Sequence, residues 1–154
     1  MSFQIRGLSA APFAALFALD AAALAERGMR RVTVDAPRSA PCRVTLEDAE
    51  PGETVLLLSF VHHAPNSPYR GSGPIFVREG ERETFDRIDA LPPAFAGRLL
   101  SVRAYDADGH MTDADIADSD PRPLFGRFFA DPAVGYIHVH FARRGCFSCR
   151  VDRA

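Results

Sequence analysis

The chain has 154 residues, of which 47% are hydrophobic and 25% charged, with a formal net charge of −2. That size and balance describe one ordinary globular domain, able to bury roughly 70% of its unfolded surface without staples. The slightly acidic charge excludes a general electrostatic grip on nucleic acid or an anionic membrane, and all 18 basic residues being Arg excludes lysine Schiff bases and P-loop chemistry.

Taken in order, the first thirty residues predict two short helices. Residues 11–17 place Phe13, Leu16 and Phe17 on one stripe, and Asp20 caps a second helix over 21–27 that stops at Gly28. The apolar run 10–19 is interrupted by Pro12 and Asp20, so a retained, folded N-terminus is expected rather than a signal peptide. Alternation predicts strands over 30–35 and 42–45, separated by the proline-bounded segment 37–41. After the Pro51-Gly52 turn, 54–63 is the most apolar strand and the expected centre of the sheet.

Residues 64–74 are rich in Pro, Ser and Gly and predict a long loop, the kind of connection that often carries function. A strand follows over 75–79, then a charged solvated loop over 80–87 and a short irregular or helical piece at Pro92-Pro93. Residues 98–106 and 111–118 form a hairpin around Asp106-Ala107-Asp108-Gly109. Asp120-Pro121 opens a third helix with the stripe Leu124, Phe125, Phe128 and Phe129. Two strands, 135–142 and 146–152, close the chain. The fold class expected is α+β: a mainly antiparallel twisted sheet, two short N-terminal helices and one later helix at about 120–130 packed on one face, in a single domain over 1–154.

Period-two alternation divides the strands into faces. Ile137, Val139 and Phe141 oppose Tyr136, His138 and His140, and Val102 and Ala104 oppose Arg103 and Tyr105. In the last strand Phe147, Cys149 and Val151 oppose Cys146, Ser148 and Arg150. The aliphatic face should lie under the Phe-rich helix, and the Arg, His and Tyr face is either simply wet or a site.

Three constellations bear on that choice. His138-X-His140 has the spacing of two ligands to one transition metal, with His62, Cys42 or Cys146 as candidates for a third, but the pair alone is a weak signal and a metal is not the expected reading. Cys146 and Cys149 have dithiol spacing, yet positions three apart on a strand point to opposite faces, so Cys149 is expected in the core. Three cysteines are too few for a disulfide framework, and with no spanning segment the expected location is cytoplasmic. The glycines and Arg70 of the segment from Ser67 to Pro74 suit an anion, or an ordinary surface turn.

Pro41-Cys42-Arg43, the run Ser67-Pro68-Tyr69-Arg70 leading to Gly73-Pro74-Ile75-Phe76-Val77, the segment Arg103-Ala104-Tyr105-Asp106 and Gly145-Cys146 occur in this order. Over nearly the whole chain they resemble the bacterial domain-of-unknown-function family 1203. The resemblance implies a stand-alone bacterial domain and supplies no reaction. It implies a shared site at Cys42, Arg43, Tyr69, Arg70, Arg103 and Cys146. The family pattern places a histidine directly after the Ile-Phe-Val stretch and a cysteine later; this chain has Arg78 and no matching cysteine, so a metal or redox site built on them would be lost here.

The leading expectation is a small-molecule protein, binding or enzymatic, whose anionic ligand lies on the polar sheet face under the 64–74 loop. Arg43 and Arg103 would pair with its charge, Tyr69 and Arg70 would close over it, and His140 would line it. His138 would be the general acid or base, and Cys42 or Cys146 a nucleophile if an Arg stabilised its thiolate. The competing expectation is a non-catalytic protein-interaction or self-association module, including a homo-oligomer, because Arg and Tyr also dominate interface hot spots. A histidine-based metal enzyme is the third. Neither nucleic acid nor membrane is expected as a partner.

Overall fold

A computed structural model describes residues 1–154. Its strands are β1 (Phe3–Arg6), β2 (Arg30–Thr33), β3 (Thr54–His63), β4 (Gly71–Arg78), β5 (Asp86–Ile88), β6 (Leu99–Tyr105), β7 (Met111–Asp118), β8 (Tyr136–Phe141) and β9 (Phe147–Arg153). The helices are α1 (Ala11–Phe17), α2 (Ala21–Glu26) and α3 (Arg122–Phe129), with one 3-10 turn at Pro93–Phe95. The fold is α+β with antiparallel sheets, and no helix is long and apolar enough to cross a membrane.

The strands form two sheets rather than one. Six of them run β5-β1-β9-β8-β6-β7, and three run β2-β3-β4. The apolar strand β3 is therefore the centre of the smaller sheet, not of the larger, whose middle is β9-β8. Three further corrections follow from backbone pairing. Gly71–Pro74 belong to β4, so the loop shrinks to 64–70. Residues 42–45 are not a strand: 43–45 form a turn, Pro41 and Asp48 close a local bridge across it, and Cys42 makes an isolated bridge to Phe76 of β4. Asp86–Ile88 is an edge strand beside β1, although its three side chains are exposed and carry no apolar alternation. Strand β1 itself has no sequence expectation behind it: four residues are too few for periodicity to register, yet Phe3 and Ile5 are buried between two neighbours.

The aliphatic face of the large sheet is as the alternation requires. Leu100, Val102, Ala104, Ile137, Val139, Cys149 and Val151 pack with Phe125, Phe128 and Phe129 of α3 into the main core. The N-terminal helices cover the small sheet instead, where Phe13 and Leu24 meet Leu56, Leu58, Ile75 and Val77. Asp20 caps α2 by accepting the Ala23 N–H at 2.8 Å.

Candidate functional site

The opposite face of the large sheet carries the polar residues in register. Arg103 lies across from His138, Tyr105 from Tyr136 and Ser101 from His140. On the other side of β8, a bulge in β9 sets Phe147 across from His140 while Cys149 faces Val139. Phe147 is thus on the histidine side and Cys149 in the core, which corrects the strict alternation assigned to this strand; an extra residue in one strand reverses the parity beyond it.

A second bulge, between Val61 and His63, does more. Alternation would send His62 and His63 to opposite sides of β3. Both instead reach the same layer: the His62 ring stacks on Phe147 at 5.3 Å and stands 5.1 Å from His140, while His63 lies 5.2 Å from His138 and 4.3 Å from Tyr105. The polar face is consequently covered, not wet. His138 and His140 are 3% and 1% exposed.

Burial decides the chemistry of this layer. Desolvation, reinforced by the neighbouring histidines and Arg150, pushes the His138 pKa down to about 2. Desolvation takes His140 down to about 3, with Arg103 and Arg43 adding repulsion on either side, although its hydrogen bond to the Gly145 carbonyl opposes the shift. Burial lowers His62 as well, with His63 and Arg103 contributing. Neutral imidazoles of this kind are weak proton acceptors at neutral pH, which removes the reason for casting His138 as general base. His63 is tied at both nitrogens, to the Tyr69 carbonyl at 2.8 Å and the Tyr136 hydroxyl at 2.6 Å. By contrast His62 Nδ1, His138 Nδ1 and His140 Nε2 have no protein partner. No three His, Cys, Asp or Glu side chains are arranged to hold a metal ion.

The loop expected to close over this face meets only its Tyr105–Tyr136 end, where the Tyr69 carbonyl bonds His63, and is anchored on the β6–β7 turn. Ser67 Oγ donates to the Gly109 carbonyl at 2.9 Å, binding the loop to the β6–β7 turn. Tyr69 is exposed beside Tyr105 and His110, and Arg70 donates back to the Ala64 carbonyl within its own loop. Arg103 donates to Ser101 Oγ at 3.1 Å and has no carboxylate partner.

Arg43 takes a different place from Arg103. It is 1% exposed, at the base of a cleft of about 410 Å³ formed by the 38–43 segment, residues 97–99 and the β8–β9 turn. Its Nε donates to the Phe147 carbonyl at 2.6 Å, Nη1 to the Pro41 carbonyl, and Nη2 to Cys146 Sγ at 3.3 Å. Desolvation lowers its pKa, and the sulfurs of Cys146 and Cys42 oppose that shift. The guanidinium also lies over the Phe141 ring at 5.1 Å, as does that of Arg98. Cys42 is buried in the small-sheet core with its sulfur accepting the Arg78 N–H at 3.4 Å, so of the two cysteines expected as nucleophiles only Cys146 meets the cleft.

Five arginines line this cleft, namely Arg38, Arg43, Arg98, Arg143 and Arg144, and no acidic side chain does. Arg98 is neutralised by Asp48 at 2.7 Å. None of the other four forms an ion pair. Sequence reasoning reached Arg43 and Cys146 but not their companions. The Arg143-Arg144 doublet directly before Gly145-Cys146 was the available signal, and by itself it reads as a solvated turn.

The fold and this cleft define a class: a two-sheet α+β domain with a sealed histidine–tyrosine layer and, at the end of the large sheet, an uncompensated arginine pocket holding one cysteine. The chain belongs to the family described as protein of unknown function (DUF1203), whose model matches residues 39–153. No curated protein and no solved structure matches it.

Proposed function

We propose that the protein binds a small organic anion in the arginine-lined cleft, the ligand sitting between the exposed Arg143-Arg144 turn and the buried Arg43. The observation that carries this reading is the charge imbalance: four guanidiniums without a carboxylate, one of them buried. A buried cation with no counter-ion is costly to maintain, and a bound carboxylate or phosphate removes that cost. Guanidinium forks match both groups with two parallel hydrogen bonds, which a lysine could not supply. Phe76, Leu99 and Phe141 add apolar wall, the mixture expected of a small-molecule site rather than a bare ion site.

The histidine–tyrosine layer supports this cleft from behind. His140 is fixed by the Gly145 carbonyl at 2.9 Å and so holds the turn that carries Arg143, Arg144 and Cys146. Thermal-shift and calorimetric titration with citrate and with inorganic phosphate at low ionic strength test the proposal. Binding should appear in the native protein and fall by about tenfold or more in Arg143→Glu/Arg144→Glu, since each charge-assisted hydrogen bond contributes about 1.5–3 kcal/mol. Equal binding by that variant, with its circular dichroism unchanged, would remove the cleft as the site.

A further inference from the structure

Resting on the anion-binding reading above, we infer that Cys146 undergoes thiol–disulfide exchange with the disulfide of a small anionic thiol, which the arginine cleft draws in and orients. The three cysteines are all free and differ sharply in surroundings. Complete burial pushes the Cys149 thiol up to about 12. Cys42 is buried in the small-sheet core. Cys146 is partly exposed on the cleft wall. Reactive cysteines occupy electropositive, partly exposed places, and every charged side chain lining this cleft is an arginine.

The second observation is the buried arginine beside the sulfur. Arg43 is a buried guanidinium without a counter-ion, and its Nη2–H is aimed at Cys146 Sγ from 3.3 Å. Three of its five N–H groups are engaged, leaving donors beside the sulfur for an incoming anionic group. A ligand that places a carboxylate on Arg43, Arg143 or Arg144 therefore carries its own sulfur to the neighbourhood of Cys146. A neutral or cationic disulfide gains no such anchoring.

In the step itself, Cys146 gives its proton to solvent and its sulfur attacks one sulfur of the ligand disulfide. The new sulfur–sulfur bond to Cys146 forms as the ligand's own bond breaks. The departing half leaves with the electron pair and takes up a proton as a free thiol. One disulfide replaces another, so no further oxidant is needed.

The test uses the full chain and three disulfides at equal concentration: oxidised glutathione (anionic), hydroxyethyl disulfide (neutral) and cystamine (cationic). Adducts are followed by intact-mass and peptide mass spectrometry. The expected result is a single mixed disulfide on Cys146, forming roughly tenfold or more faster with oxidised glutathione than with cystamine, because a charged cleft raises encounter rates by 10–10³. Added salt should erase that preference, and Arg143→Glu/Arg144→Glu should reverse it. Equal rates for the three reagents, or modification confined to Cys42, would overturn the inference. Non-covalent citrate binding by the native protein separates the two levels: native protein that binds citrate but forms no adduct sinks only the exchange, whereas native protein that does not bind citrate sinks both.

Discussion

Arg43 is a buried residue with three side-chain hydrogen bonds. It joins the 41–46 turn to β9 through the Phe147 and Pro41 carbonyls, and its removal would leave both without their partner. Arg43→Met keeps the stem and the packing on Phe141 but deletes the donors. It should lower stability by about 2–4 kcal/mol in urea denaturation, the cost of two or so buried acceptors left unpaired. Arg43→Lys should recover only part of that, because an ammonium cannot reach three diverging acceptors at once. An unchanged midpoint in Arg43→Met would mean the guanidinium is not a structural tie and serves the ligand alone.

The buried histidines make a separate prediction from the sign of their shifts. His138 and His140 have folded pKa values of about 2 and about 3, below the ordinary 6.5. The unfolded chain therefore takes up protons first as pH falls. The stability they confer is complete above pH 6.5 and drains as pH drops below it, by about 1.4 kcal/mol per pH unit for each histidine. Between pH 6.5 and 5, above the ordinary carboxylate range, these side chains should dominate the slope. His138→Phe keeps an aromatic ring in the layer, and urea titrations across that interval should show the slope reduced by one histidine's share. The same slope in the variant would show that His138 is charged in the folded protein.

At the scale of elements, two irregularities separate what the sequence reveals from what it hides. The two faces of β6 and β8 are legible because uninterrupted alternation follows from backbone geometry alone. Asp106-Ala107-Asp108-Gly109 likewise announces its hairpin, with Asp106 accepting the Asp108 and His110 N–H groups. Bulges carry no such signature in a single sequence. The one in β3 brings His62 onto the layer with His63, and the one in β9 turns Phe147 toward it, so a face that alternation leaves open is in fact closed. The docking of the 64–70 loop is equally silent, since it depends on Gly109. That residue has φ +83°, and a Cβ there would stand 2.5 Å from Pro65 Cβ and Cγ. Gly109→Ala should therefore strain the turn and lift the loop together, costing about 1–3 kcal/mol. Limited proteolysis within 64–70 should quicken in the variant. If cleavage is no faster, the contact to Pro65 is not what seats the loop.

For the whole molecule, the division into two sheets explains why the site lay partly out of reach. Arg43 comes from the segment between the sheets, Arg98 from just before β6, and Arg143, Arg144 and Cys146 from the β8–β9 turn; only assembly brings them to one cleft. The same assembly makes the N-terminus indispensable, although the family model begins at residue 39. Strand β1 is inserted between β5 and β9, and β2 forms one edge of the small sheet. A chain starting at residue 39 would lose both, together with α1 and α2. It would lose the buried side chains of Phe3, Ile5, Phe13 and Leu24, each contributing about 1.5–3 kcal/mol against a total stability of about 5–15 kcal/mol. It would also present β9 as an open edge, with the backbone donors and acceptors that now pair with Phe3–Arg6 left free. The 39–154 fragment should show no cooperative thermal transition by circular dichroism and should elute as aggregate on size exclusion, whereas the full chain should unfold in one step. A fragment that remains monomeric and melts cooperatively would show that the two sheets are stable without their N-terminal strands.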